Sequence, residues 1–460
     1  MISVLQASAW YPPDNIGGTE VYLSNLVAEL RAQGVMSTIA APLERQHPGG
    51  YRFDGSPVRT YAVNELPTRA ELRGDQPHQG FSRFREILAD VRPDIYHQHS
   101  WSRGLGALHL QAAREMGLRT VLTVHVPGVT CIRGTMMRYG TEVCDGRIDS
   151  FRCAACWSHD RGAPKAIALA LAAVSSRLGS VAAAMPPSRP TTALSGSAIV
   201  EQLRAGVTAI SENADRIVAV CQWLYDTLLL NGIPAEKLVL SRQGVDGQFA
   251  AAVADACAGG HVAAGDVNPG TFRLLYLGRW HPVKGIDVLV RAVRALPPET
   301  PLELVIHGVG AGREERDYEA KVRRIAGGDR RIRFAQPVGR PALAETFLRA
   351  HALAVPSRWL ETGPLVVLEA KAAGLPILGS RLGGIAELVR EPDDGILLPP
   401  DDVAAWTNAI LRMMKASRPN AAKVPVKVRT MRDVAIDMSG LYRELRDAPA
   451  GARAFSCASH

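Results

Sequence analysis

Short apolar runs and longer stretches of helical spacing alternate along this chain, and they do so twice. The first half reads "ISVLQAS", "TEVYLSNLVAELRAQG", "STIAAP", "FSRFREILADV", "DIYHQH", "GLGALHLQAAREMG" and "RTVLTVH", followed later by "RIVAV", "QWLYDTLLLNG" and "LVLSRQG". Continuous apolar runs separated by amphipathic stretches predict strands buried on both faces, hence a parallel sheet covered by helices. Thr19 is placed to cap the first helix and Gly34 to end it.

Residues 250–270, "AAAVADACAGGHVAAGDVNPG", are rich in Ala and Gly with little periodicity, and predict a linker. Beyond it the alternation restarts with "FRLLYLG", "GIDVLVRAVRAL", "LELVIHG", a charged helix near 313–326, "IRFAQ", "PALAETFLRA" and "ALAVPS". The expectation is α/β: two doubly wound, Rossmann-like domains, 1–245 and 246–425, facing across a cleft. A closing helix and tail, 426–460, could return to the N-terminal domain. An insertion at about 126–205 is too long for an ordinary crossover. Its most apolar part, "AIALALAAVSSRLGSVAAAM" (166–185), carries Arg177 and three serines and is expected to pack on protein rather than sit in a membrane.

Composition narrows the class. Of 460 residues, 47% are hydrophobic and 21% charged, a globular balance. The net charge of +8 divides evenly between residues 1–200 and the rest. That spread does not favour nucleic acid, and it suits anionic phosphates or a membrane surface. The start, "MISVLQASAWYPP", reads as a first strand rather than an export signal, so a cytoplasmic protein is expected.

Candidate chemistry lies where strands end. "GRWHPVKG" (278–285) puts Arg279 and Lys284 on a loop after a strand, a fork-shaped cation and a point cation that could grip a diphosphate or could simply be solvated. In "ETGPLVVLEAKAAG", Pro364 suits a first helical position and Gly374 an end. The amides around Gly363 and Leu365 would then face an anion or hydroxyl oxygens. Glu361 stands just outside that helix and Glu369 inside it, either on a solvated face or meeting something absent from the sequence. Gly17 and Gly18, and Gly383 and Gly384, follow strands in the two halves, allowing close ligand approach or only a tight turn.

In this order and spacing, the glycine pair, "GRWHPVKG", "PSRWLETGPLVVLEAKAAGLPILGS" and "LGGIAELV" resemble the retaining, nucleotide-sugar glycosyltransferases of family 4, with the GT-B architecture. The resemblance implies that Arg279 and Lys284 neutralise the leaving diphosphate without a catalytic metal or other cofactor. It implies that Glu369 accepts from the ribose hydroxyls, and that Glu361 with the Gly363–Leu365 amides holds the transferred sugar. Gly17 and Gly18 would face the diphosphate, and His125 matches an active-site histidine beside the donor sugar. The expected acceptor is a saccharide or lipid-linked saccharide of the cell envelope, with contact at the inner membrane face through the N-terminal domain. The chain departs from the commoner pattern in reading Glu361-Thr362-Gly363-Pro364 and in having Val126 after the histidine. An epimerase or hydrolase on the same architecture, and a non-catalytic nucleotide-sugar binder, remain as alternatives.

Cys131, Cys144, Cys153 and Cys156 fall within the insertion at a spacing that could hold a structural zinc, with redox-active or free thiols as the other readings. Cys221, Cys257 and Cys457 show no partner pattern.

Overall fold

The computed structural model describes every residue except 14–16, 44–48, 65–67, 69–70, 72–75, 100, 103, 187, 259–269, 311, 417–425 and 450–460. Most of the expected linker and Cys457 therefore lie outside the described residues.

Two sheets organise the chain. In the N-terminal sheet the strands run, edge to edge, Leu238–Leu240, Arg216–Ala219, Arg119–Val124, Ile95–Gln98, Ile2–Ala7, Val35–Leu43, Ser56–Ala62 and Gly50–Phe53. All neighbours pair in parallel except the last two. The C-terminal sheet is parallel throughout: Ile332–Ala335, Leu302–Val309, Phe272–Arg279, Ala352–Val355, Ile377–Ser380 and Gly395–Leu398. In each sheet the first strand in sequence lies inside, with the next two strands on one side and a later strand on the other. The order of connection reverses beside that strand, which is where open α/β sheets leave a crevice for ligands. The loops carrying Gly17 and Lys284 each follow such a strand.

Apolar burial fixes both domains. Leu274, Tyr276, Val288, Leu289, Leu304 and Trp406 fill one side of the C-terminal sheet, and Phe249, Leu353, Val367 and Ile377 the other. The helix Met431–Asp447, capped by Thr430, crosses back to bury Met431, Val434, Met438 and Tyr442 against Ile2, Val4 and Tyr22.

Two expectations need correction, and a third is refined. The first helix is Gly18–Ala32, and its cap is Gly17 rather than Thr19: the Glu20 carboxylate accepts the Gly17 N–H at 2.8 Å. A Cβ on Gly17 would stand 2.7 Å from that same oxygen, so a larger residue there would require the Glu20 carboxylate to shift. The expected linker begins as a helix, Gly247–Ala258, because alanine favours helix and Phe249 and Val253 bury against the C-terminal domain. The apolar insertion helix, Lys165–Ala184, packs on protein by one face only. Small residues (Ala168, Ala172, Ser175, Gly179, Ala182) turn inward, and the large apolar side chains turn to solvent.

Candidate active site

Backbone contacts clamp the two loops of the C-terminal wall together. Gly285 takes φ +66°, and a Cβ there would lie 1.9 Å from the Pro356 carbonyl oxygen, so only glycine lets the Lys284 loop close on the 356–361 segment. Arg358 N–H donates to Val283 O (2.7 Å). Its guanidinium forks onto buried Asp287 at 2.7 and 3.1 Å, which a third group, Tyr318 Oη, also supports at 2.7 Å.

This clamp delivers Lys284 Nζ to Glu361 Oε1 at 2.5 Å, where Ser357 Oγ also donates at 2.7 Å. Burial works against the charged form of Glu361, but the Lys284 ammonium and these hydrogen bonds outweigh it and hold the carboxyl below its usual range. The Glu361 side chain is therefore an ionised acceptor inside the fold.

Glu369 is the opposite case. The helix Leu365–Ala372 begins after Pro364, which stands at the cap rather than in the first turn, and half-buries Glu369. Among the described residues its carboxylate has no hydrogen-bond or ion-pair partner. Burial first, and Asp246 second, push it up to about 7 against the pull of Arg340. A desolvated acid without a partner is costly and points to an absent ligand.

The glycine pair at 383–384 packs against the Glu361 loop. A Cβ on Gly383 would meet Glu361 O at 2.8 Å, one on Gly384 would meet Gly363 N at 2.6 Å, and Gly384 N–H donates to Glu361 O at 2.6 Å. These glycines seat the Glu361–Gly363 backbone. A Cβ on Gly18 would meet nothing within 4 Å among the described residues. Arg279 is exposed at the rim and reaches Glu20 on the opposite wall by charge alone.

The N-terminal wall contributes His125, buried at the end of the strand Arg119–Val124. Its tautomer follows from its neighbours. Gln6 Nε2 donates toward Ser37 Oγ and Tyr442 Oη, so Gln6 Oε1 accepts from His99 Nε2 at 2.8 Å. Neutral His99 then has a bare Nδ1, which takes the His125 Nε2 proton at 3.4 Å. His125 Nδ1 is left as a buried lone pair with no partner. Burial holds both His97 and His125 at about 3, so they stay neutral. Tyr22 Oη and Gln243 Oε1 are also buried without a hydrogen-bond partner among the described residues. Tyr22 stacks edge-on to His125 at 4.7 Å and Gln243 stands near Gly363, so these unsatisfied atoms gather at the cleft.

Contacts invisible in the sequence join the walls. Thr362 Oγ1 donates to the His125 carbonyl at 2.6 Å, and Trp223 Nε1 to Glu361 O at 3.0 Å. Glu387 accepts the Gln222 and Trp223 amides at 2.9 and 2.8 Å, capping the helix Gln222–Leu230 from the other domain. Met136 and Met137 of the insertion pack on Leu360 and Leu382.

The four insertion cysteines line one cavity of about 200 Å³. Backbone N–H groups of Asp149 and Tyr139 donate to the sulfurs of Cys153 and Cys156 at 3.5 and 3.3 Å. Among the described residues no three His, Cys, Asp or Glu side chains stand together closely enough to hold a metal. The expected cage is therefore not preformed.

Two family models match the chain: a glycosyl transferase 4-like domain over residues 17–244 and glycosyl transferases group 1 over 271–416. A D-inositol 3-phosphate glycosyltransferase of Mycolicibacterium paratuberculosis is 35% identical over 149 residues, 32% of this chain and 33% of that one. The chain thus spans between a third and a half of the length of the first curated relatives it matches. Among solved structures, sucrose-phosphate synthase from Thermosynechococcus elongatus superposes with a TM-score of 0.67 at 21% identity, over 97% of this chain and 99% of that one. Anabaena Alr3699/HepE in complex with UDP and glucose does so with a TM-score of 0.59 at 14% identity, over 97% of each.

Proposed function

This chain belongs to the GT-B glycosyltransferases that join a 4-like domain to a group 1 domain, and from that premise we propose that it moves a sugar from a nucleoside diphosphate sugar to a saccharide or lipid-linked saccharide acceptor, with retained configuration. The observation that carries the reading is the pair of carboxylates on one loop-and-helix unit: Glu361 kept ionised by Lys284, and Glu369 desolvated without a partner.

Each group then has a task. Arg279 and Lys284 offset the charge that builds on the diphosphate as the bond to the anomeric carbon breaks and its electron pair leaves with the phosphate. Glu361 accepts from sugar hydroxyls, and the amides of Gly363 and Leu365 donate to their oxygens. Glu369 accepts from the ribose hydroxyls, whose proximity returns the charge to a group that burial disfavours. His125 Nδ1 accepts from a further sugar hydroxyl. The acceptor oxygen forms its bond on the face the diphosphate leaves, and its proton passes to a phosphate oxygen, so configuration is retained. The reading carries with it a cytoplasmic enzyme acting on cell-envelope glycans.

A thermal-shift screen over UDP-, GDP- and ADP-sugars tests it, since a ligand held by the native state raises the melting temperature. At least one donor is expected to stabilise the protein and to be slowly hydrolysed without acceptor. Stabilisation with no turnover under any condition would favour a non-catalytic binder. A zinc ion at Cys131, Cys144, Cys153 and Cys156 is a separate proposal, and it requires the sulfurs to close inward across their cavity. Elemental analysis of protein purified without added zinc is expected to read about one equivalent per chain. Folded, metal-free protein overturns that proposal.

A further inference from the structure

The insertion helix Lys165–Ala184 is built inside out. Its inward face is a seam of small residues fitted to the helices Ser150–Asp160 and Gly196–Asn213: Ser175 Oγ accepts Ser197 N–H at 2.8 Å, and a Cβ on Gly179 would stand 2.1 Å from Ser197 Oγ. Its large apolar side chains point the other way. Ile167, Val174, Leu178 and Val181, with Met185 just beyond the helix, are between 43% (Val174) and 60% (Val181) exposed. Their spacings of seven, four, three and four residues set them in a single stripe along the helix. Twenty residues give that stripe a length of about 30 Å.

Charge distinguishes this face from an ordinary apolar patch. Residues 161–200 contain Arg161, Lys165, Arg177 and Arg189 and no aspartate or glutamate. The surplus of residues 1–200 is thus concentrated here rather than spread. Lys165 lies 3.9 Å from Glu142 of the neighbouring hairpin and Arg161 covers the Trp157 ring, whereas Arg177 and Arg189 make no ion pair among the described residues. Arg177 falls at the edge of the stripe, one turn from Val174 and Val181, where its guanidinium can reach phosphate while the stripe is buried.

We propose that this face docks in the surface of a bilayer bearing anionic lipid. The helix is long and apolar enough to cross a membrane, with a mean hydropathy of 1.6 and one third of its window buried. Crossing would tear it from the small-residue seam that fits it. Lying in the interfacial plane keeps the seam and buries the stripe, and the basic residues pair with lipid headgroups. The inference stands apart from the transferase reading and holds whichever sugar is used.

The test is flotation of the full chain with phosphatidylcholine vesicles, with and without phosphatidylglycerol. The protein is expected to float with the anionic vesicles and to stay behind with the zwitterionic ones. Val174→Ser combined with Leu178→Ser should lower partitioning by at least about tenfold, and Arg177→Glu should lower it several-fold, while both keep the parent's melting temperature and donor-induced shift. Parent protein that stays in solution with anionic vesicles overturns the proposal. So does a variant that floats as the parent does. Sedimentation that shows a concentration-dependent dimer, dissolved by the same double substitution in protein that does not float, would assign the stripe to a second copy instead.

Discussion

The N-terminal wall of the cleft is made of neutral groups whose protons are assigned by burial, and the C-terminal wall of charges whose balance is left incomplete. On one side His97, His99 and His125 form a hydrogen-bonded chain with Gln6, Thr123 and Tyr442 that ends in a single bare nitrogen. On the other, Lys284 and Glu361 satisfy each other, while among the described residues Glu369 has no hydrogen-bond or ion-pair partner and Arg279 forms no salt bridge, feeling Glu20 across the cleft by charge alone. A low-dielectric site can use both designs. The neutral wall fixes direction, because a lone pair in a known position accepts only from a hydroxyl aimed at it. The charged wall supplies energy, because an anion entering it meets Lys284, a cation largely withdrawn from water, with Arg279 at the rim.

Removing a charge should do the most damage. Lys284→Ala is expected to lower kcat about 10²- to 10³-fold in a transfer or donor-hydrolysis assay, since it withdraws the cation nearest the leaving group and also leaves Glu361 buried without its partner. A variant with most of the parent's turnover would mean that the diphosphate lies elsewhere.

Glu369→Gln should weaken donor binding about tenfold with a smaller effect on kcat. The free carboxyl sits at about 7, and the ribose needs it ionised. Donor affinity of the parent should therefore fall as pH drops from 8 to 6, by up to about tenfold per unit, and that of Glu369→Gln should stay flat. His125, held near 3 by burial, contributes nothing over this range, so the slope reports the charged wall alone. Stability should move the other way. Because the folded value lies above the ordinary 4.5, the unfolded chain loses its proton first as pH rises. The resulting penalty begins above about pH 4.5 and is complete above about 7. Without donor, Glu369→Gln should melt higher than the parent at pH 8 and equally at pH 4.

The smallest expected effect lies in the neutral wall. His99→Phe removes the acceptor that fixes the His125 tautomer and should lower kcat about three- to tenfold with KM nearly unchanged. His99→Gln, which can accept from His125 while donating to Gln6, should restore most of it. Equal losses in both variants would mean that His99 only packs.

The charged wall was largely legible in the sequence, and the neutral wall was not. "GRWHPVKG" and the two glutamates are local: a strand end, a loop and a helix start bring them together within short stretches, and the spacing survives folding. The chain from His125 to Tyr442 joins residues separated by hundreds of positions, as do Thr362 with His125 and Glu387 with Gln222, and no periodicity announces such pairs. Gly383 and Gly384 were recognised as special, but their close approach to the Glu361 loop could not be read from the sequence. Residues 250–258 were misjudged because Ala and Gly content with weak periodicity was equated with a linker, and the apolar insertion helix packs on protein as expected but by its small residues. Lys165–Ala184 turns its bulk outward, and Gly247–Ala258 is a helix made mostly of alanine.

Glu387, reaching across to the first amides of the helix Gln222–Leu230, also determines how the two lobes can part. The polar groups of that clasp are ones that water can take over on separation, and the apolar patch beside it among the described residues is that of Met136, Met137, Leu360 and Leu382 with Trp223 and Trp359 against it. Such a joint grips by fit more than by strength. If the lobes part there, a ligand of the proposed kind has a way out without any part of either core being disturbed.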